Sequence, residues 1–272
     1  MDRGWLQKTI TSHVAASLLF AALAAAGTGG WAESPEAKGL AIAQEVDRHD
    51  SGWGDSQVEL RMTLKNKHGQ TSTRRLRSRV LEQKGEGDKS LIIFDEPKDI
   101  NGTALLTFSH ATAPDDQWLY LPALKRVKRI ASANKSGPFV GSEFAYEDLS
   151  SEEVEKYTYK FLREESKGGM DCFVIERYPV DTKSGYTRQV VWIDKAEYRI
   201  QMVEYYDRKD ALLKTLVLKG YQKYLDAYWR AERFTMSNHQ SGKSTELVFS
   251  NYVFRNGFAD RDFDRSTLDR VR

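Results

Sequence analysis

The chain has 272 residues, with 41 Lys and Arg against 39 Asp and Glu, and a formal net charge of +2. This balance argues against general nucleic-acid binding, which requires a clear basic excess. Charged residues make up 29% of the chain and are mixed in sign, which indicates a solvated outer surface. The one cysteine, Cys172, excludes an internal disulfide, and its apolar strand context predicts a small core residue rather than a nucleophile.

Residues 1–32 have the pattern of a secretory signal peptide. A basic start is followed by an apolar run of about 13 residues, from Val14 to Ala26, and then by small residues around a cleavage site. The run is shorter than the roughly 20 residues that span a bilayer as a helix, although an uncleaved anchor is the alternative. We therefore predict cleavage near Ala32 and an exported mature domain over residues 33–272.

The mature domain is predicted to begin with one helix. Ser34-Pro35-Glu36 supplies a cap residue, a proline in the first turn and an early acid. Leu40, Ala43 and Val46 continue at helical spacing, and the pattern ends near residues 51–52. The apolar side of this helix should lie against a sheet or plug an opening.

The rest of the chain is a succession of β-strand patterns. In the clearest, residues 58–65, apolar and polar residues alternate without a fault, as in an antiparallel strand with one dry face. An irregular stretch over 131–151 interrupts the series. We predict twelve or so strands from thirteen segments with this pattern, at 58–66, 71–83, 90–95, 103–108, 117–121, 126–130, 156–165, 172–178, 189–194, 199–207, 212–221, 228–236 and 245–254.

Such a series, without recurrent helices, predicts a mainly β protein with a single large antiparallel sheet that is curled or closed. A curled sheet of more than eight strands leaves room for a lumen that side chains do not fill. A packed β-sandwich would show similar alternation, so a filled core is the alternative.

The sequence shows no catalytic motif. His49, His68, His110 and His239 are isolated from one another, without a metalloprotease pattern. Adjacent carboxylates such as Glu147-Asp148 are more typical of caps and turns than of acid–base catalysis. A hydrolase would need a nucleophile–base pair that the sequence does not show. We therefore predict a protein that is not an enzyme and has no metal and no cofactor.

Two sets of side chains are candidates for binding. Apolar and aromatic strand residues could offer a hydrophobic chain broad walls around a lumen, and they are Leu60, Met62, Leu64, Leu76, Val80, Phe94, Leu106, Phe108, Trp118, Tyr120, Trp192 and Met202. Basic residues could dock an acidic membrane protein or anionic headgroups, although a solvated sheet exterior explains them equally well. They are Arg75, Arg77, Arg79, Lys125, Arg126, Lys128 and Arg129.

One block of the chain resembles a known family. Residues 116–130 are DQWLYLPALKRVKRI, and residues 137–149 are GPFVGSEFAYEDL. This strand pair and the turn after it resemble the outer-membrane lipoprotein-sorting proteins, the LolA-like group. They are especially similar to the branch found with exporters of the resistance–nodulation–division (RND) type that move large hydrophobes. The similarity covers most of the mature chain.

The resemblance implies a half-open antiparallel barrel with a helical lid over a lipid-binding cavity, in a periplasmic carrier. Residues 36–50 and 131–151 would cover its mouth. It would bind a lipid or a lipoprotein acyl chain and pass it between membranes, with transient membrane contact. An inner-membrane RND-type transporter or an outer-membrane acceptor would be its partner, and a free lipid or sterol-like hydrophobe is an alternative cargo. The alternative function is a non-catalytic envelope module with a filled β core, accessory to a transporter.

Overall fold

A computed structural model describes residues 33–270, so the predicted signal peptide lies outside the described residues. The helix α1 spans Pro35–Asp50. Thirteen strands follow it: β1 (Asp55–Lys65), β2 (Thr71–Leu81), β3 (Lys89–Glu96), β4 (Ala104–Phe108), β5 (Asp116–Leu121), β6 (Arg126–Ile130), β7 (Tyr157–Lys167), β8 (Met170–Pro179), β9 (Tyr186–Asp194), β10 (Ile200–Asp207), β11 (Leu212–Tyr224), β12 (Tyr228–Asn238) and β13 (Ser244–Phe254).

All thirteen strands form one sheet, in the order β6-β5-β4-β3-β2-β1-β13-β12-β11-β10-β9-β8-β7. Every neighbouring pair is antiparallel. All pairs join strands that are consecutive along the chain, except for β1 with β13. The strands β6 and β7 have one neighbour each, so the sheet curls without closing. The predicted fold, a mainly β protein with one large half-open sheet, is confirmed.

The helix α1 begins as its sequence predicts and covers the β7 edge of the sheet. The Ser34 hydroxyl accepts a hydrogen bond of 3.1 Å from the backbone N–H of Ala37. A Cβ atom at Gly39 would lie 2.8 Å from backbone atoms of Lys160 in β7, so only glycine allows the helix to lie this close. Ile42 and Ala43 of the helix are buried.

Several strands are apolar on both faces because both faces are covered. Leu105 pairs with Leu119 on the concave face, and Leu106 pairs with Trp118 on the convex face. The segment 255–270, for which the sequence predicted no structure, crosses the convex face in short 3₁₀ turns. Its residues Phe263 and Leu268 are buried against β3, β4 and β5.

The Phe263→Ala substitution should lower the free energy of unfolding by about 3–5 kcal/mol, since it leaves a cavity in a well-packed cluster. Leu124→Ala is the matched control, because Leu124 is 67% exposed and its loss should change stability by less than about 0.5 kcal/mol. Urea unfolding followed by tryptophan fluorescence measures both values. Equal midpoints for the two variants would contradict this packing of the C-terminal segment.

Candidate functional site

The concave face of the sheet surrounds a cavity of about 470 Å³. One wall is aliphatic and comes mainly from β1, β2, β10 and β11, with Val58, Leu60, Met62, Leu76, Val80, Ile200, Val203, Leu216 and Leu218. A second, aromatic wall comes mainly from β11, β12 and β13, with Trp53, Tyr221, Trp229, Phe234, Phe249 and Tyr252. The volume lies within the range of about 300–1,000 Å³ that is usual for small-molecule sites.

The irregular stretch 131–151 covers one end of this cavity and places aromatic side chains inside it. Phe139 and Phe144 line the cavity, and the Phe139 ring lies 5.5 Å from the ring of Phe94. The Arg74 guanidinium donates a hydrogen bond of 2.6 Å to the carbonyl oxygen of Val140. The stretch is therefore packed onto the sheet as a cover.

A buried ion pair fastens this cover to the sheet. Lys214 Nζ in β11 lies 2.6 Å from Asp148 Oδ2 and 3.0 Å from the Glu143 carbonyl oxygen, and both charged side chains are only 4% exposed. Asp148 also accepts hydrogen bonds of 2.7 Å from the Tyr186 hydroxyl and the Ala145 N–H. Burial, and next the negative charge of Asp148, raises the pKa of Tyr186 well above its usual value.

A second charged pair lies where the cover returns to the sheet. The Arg177 guanidinium donates hydrogen bonds of 2.8 and 2.7 Å to the two carboxylate oxygens of Glu152, and a third of 2.8 Å to Gln189. Burial alone would raise the pKa of Glu152, but the adjacent positive charge of Arg177 holds it below its usual value. A bidentate arginine–carboxylate pair fixes orientation as well as distance.

A smaller pocket of about 330 Å³ lies beside the C-terminal end of α1 and is rich in carboxylates. Asp47 and Asp50 of the helix face Glu82, Asp88 and Glu153 across it. Burial, opposed by a hydrogen bond from the backbone N–H of Gln83, raises the pKa of Asp88 to about 7. At neutral pH this carboxyl group is thus close to half-protonated.

The predicted wall residues divide into three groups. Leu60, Met62, Leu76 and Val80 line the cavity. Leu64 and Phe94 belong to the core of the concave face, next to the cavity. The other six lie on the convex face, which corrects their predicted position in the lumen. They are Leu106, Phe108, Trp118 and Tyr120 beneath the C-terminal segment, and Trp192 and Met202 in a cluster with Cys172.

Strand register is the physical reason for this correction. Val191 pairs with Val203 on the concave face, and their neighbours Trp192 and Met202 pair on the convex face. Because both faces of these strands are apolar, the sequence could not tell which face is turned toward the cavity. That any of the predicted residues contacts a ligand stays a prediction.

The predicted docking residues fall into two groups, those with a partner on the protein and those that are exposed without an ion pair. Arg77 donates a hydrogen bond of 2.6 Å to Asp95, and Arg79 one of 3.0 Å to Gln57, so both are engaged on the sheet surface. Arg75 is exposed and lies 3.5 Å from Glu96, and Arg129 pairs with Asp116. Three remain exposed without an ion pair within residues 33–270, and they are Lys125, Arg126 and Lys128 in the β5–β6 hairpin.

Most of the aromatic wall and the buried Lys214 were not predicted from the sequence. A signal for Lys214 was present, because it occupies the same phase of β11 as Leu212, Leu216 and Leu218, where a lone charge requires a partner. Over residues 33–270, no group of three His, Cys, Asp or Glu side chains is arranged to hold a metal ion. None of the helices in that range is long and apolar enough to cross a membrane.

A curled, unclosed sheet with a helix along one edge and a covered apolar cavity defines a LolA-like fold. A protein-family profile described as an uncharacterized protein matches residues 86–270. A crystal structure from Vibrio parahaemolyticus, described as an outer membrane lipoprotein-sorting protein domain, is 58% identical with a TM-score of 0.84, and the match covers 85% of this chain and 98% of that one.

A DUF1329 family protein from Desulfovibrio piger is 32% identical with a TM-score of 0.82, and the match covers 86% of this chain and 99% of that one. The chain therefore belongs to the DUF1329 family, together with the Desulfovibrio piger protein. A LolA superfamily protein from Nitrosomonas europaea shares the fold at 22% identity and a TM-score of 0.68, over 84% of this chain and 98% of that one. No curated protein matches the chain.

The Lys214→Met substitution should lower the free energy of unfolding by about 3–5 kcal/mol, because it leaves Asp148 buried without a counter-charge. Adding Asp148→Asn to the same chain should restore part of the loss, since it removes the unpaired charge. Urea denaturation of the three proteins measures this. A Lys214→Met protein as stable as the wild type would contradict the buried pair.

The Asp88→Asn substitution should make the protein more stable relative to the wild type as pH rises. The folded-state pKa of about 7 exceeds the usual value, so the folded chain binds more protons than the unfolded one. The free energy of unfolding of the wild type should therefore fall by roughly 1 kcal/mol or more, relative to that of the variant, between pH 4 and pH 7. Unfolding midpoints at four pH values measure it, and parallel curves for the two proteins would contradict the shift.

Proposed function

We propose that the protein is a carrier that holds the apolar part of a lipid or of an acylated protein in its cavity and transfers it without covalent chemistry. The observation that carries this proposal is the unfilled apolar cavity of about 470 Å³. A filled core, as in the alternative envelope module, would leave only water-sized voids, and a water occupies about 30 Å³ in the liquid.

The energetics of burial support capture without a bond. Burying a chain of about 14 methylenes at roughly 0.8 kcal/mol each provides about 11 kcal/mol before the ordering costs of binding. The cover formed by 131–151 and the helix α1 keeps water from the bound chain. Aromatic residues on one wall can also contact ring systems, so a free lipid or sterol-like hydrophobe remains a candidate cargo beside a lipoprotein.

The setting of this carrier follows from its leader and its relatives. A signal peptide cleaved near Ala32 would place residues 33–272 in the periplasm, and the description of the Vibrio parahaemolyticus protein as a lipoprotein-sorting domain supports an envelope role. The exposed Lys125, Arg126 and Lys128 would dock an RND-type transporter, an outer-membrane acceptor or anionic headgroups. The protein would act as a carrier rather than an enzyme.

Native mass spectrometry of protein purified without detergent, together with titration of a fluorescent fatty acid, tests the proposal. We expect co-purified lipid and saturable binding of the fatty acid. Protein that is always empty and also rejects the probe would contradict the carrier function.

The Val80→Trp substitution should weaken fatty-acid binding at least tenfold, because the larger side chain fills part of the cavity that Val80 lines. Val217→Trp is the matched control, since Val217 is also half-buried in a strand but packs on the convex face. Titration by fluorescence measures both affinities. Similar losses in the two variants would mean that binding occurs elsewhere than in the cavity.

A further inference from the structure

The sheet divides between β12 and β13. The ladder between them joins Arg233–Ser237 to Ser244–Val248 and goes no further. Beyond it, β12 stays paired with β11 as far as Tyr228, and β13 stays paired with β1 as far as Phe254. Within the described sheet, residues 228–232 and 249–254 therefore face each other without a backbone ladder, and we call this gap the fork.

Local backbone irregularities occur in β13 and in β11, the other neighbour of β12, at the level where the fork begins. The register of β13 on β1 shifts between Ser250 and Val253, so that a bulge forms at Asn251, which has a φ of +56°. In β11, Gly220 has a φ of +72° and lies opposite Glu232 of β12. Bulges and strand glycines bend a strand and increase its twist, which carries the two lips of the fork apart.

Side chains alone join the two lips. The Tyr224 ring, from the end of β11, lies 5.2 Å from the ring of Tyr252 and 5.4 Å from that of Phe254. The Arg230 guanidinium, from β12, lies 5.8 Å from the Phe254 ring and also pairs with Asp50 at the end of α1. An aromatic pair adds only a small stabilisation beyond that of its buried area, so these contacts can separate more easily than a backbone ladder.

The fork leads from the surface into the cavity. Both lips line the cavity, with Trp229, Arg230 and Ala231 from β12, and Phe249 and Tyr252 from β13. On the outside the fork is flanked by two exposed apolar side chains, Leu225 at 40% and Val253 at 51%. An apolar path therefore runs through the wall.

We propose that the fork between β12 and β13 is the lateral portal through which hydrophobic cargo enters and leaves the cavity. This inference rests on the proposed carrier function. Opening the fork separates Tyr224 and Arg230 from β13 and breaks no ladder hydrogen bond. Lifting the cover over 131–151 instead would break the buried Lys214–Asp148 pair and separate its two charges. A side opening also lets a cargo keep its polar end in water.

A reversible cross-link across the fork tests the portal. The variant Tyr224→Cys/Tyr252→Cys is joined with a short, reducible, thiol-specific bifunctional reagent. Cys172 is fully buried and can stay in place. The matched control is Arg233→Cys/Val248→Cys, whose positions pair directly in the ladder of the same two strands. Stopped-flow fluorescence then follows the uptake of cis-parinaric acid by each protein, in its cross-linked form and after reduction of the cross-link.

We expect the fork cross-link to slow uptake at least tenfold, reduction to restore it, and the control cross-link to leave it unchanged. Equal rates for the cross-linked and reduced fork variant, or equal slowing in the control, would overturn the portal while leaving the carrier function intact. A wild-type protein that binds no probe would overturn the carrier function and the portal together. As a second measurement, Tyr224→Ala should speed uptake and release at least threefold, and an unchanged rate would also count against the portal.

Discussion

The ladder between β1 and β13 joins the two halves of the sheet, from Ser56 with Phe254 to Lys65 with Ser244. Every other neighbouring pair is a local connection between consecutive strands, which could form without bringing the chain ends together. Only this contact places the aliphatic wall of β1 and β2 beside the aromatic wall of β12 and β13. The curl of the sheet and the cavity within it depend on this one long-range pairing, which has a high loop-closure entropy to overcome.

Two charged pairs hold the cover against the sheet. The buried Lys214–Asp148 pair and the half-exposed Arg177–Glu152 pair tie the C-terminal end of the cover to the sheet. Buried pairs of this kind contribute little net stability compared with apolar replacements, but they fix a single geometry. An apolar cover over an apolar cavity could slide, and these pairs give it one position.

The strands and the helix could be predicted from the sequence because their signals are local. Alternation in β1, the Ser34 cap and the glycine turns depend on neighbouring residues only, and the observed bounds lie within a few residues of the predicted ones. The block at 116–149 that carries the family resemblance forms the β5–β6 hairpin and most of the cover, so it resembles the family in parts that define the fold.

The face that each strand turns to the cavity could not be predicted, because that choice is made by distant residues. Trp118 is on the convex face since Phe263 and Leu268 cover it, and nothing near Trp118 indicates this. The bulge at Asn251 also changes the phase of β13, so that Phe249 and Tyr252 both line the cavity despite their odd spacing. A strict alternation of period two takes no account of cover by a distant segment or of a local bulge.

Because the sheet is not closed, it has two strand edges at which another chain could pair. An uncovered strand edge is a template for another chain, and stacking of copies edge to edge would lead to fibres. The helix α1 shields β7, with Gly39 close against its backbone. Within residues 33–270, no helix lies along the other edge, β6, but this strand contains Arg126, Lys128 and Arg129 in five residues. Two copies that paired along this edge would bring like charges close together, which disfavours such pairing although the sheet is not closed.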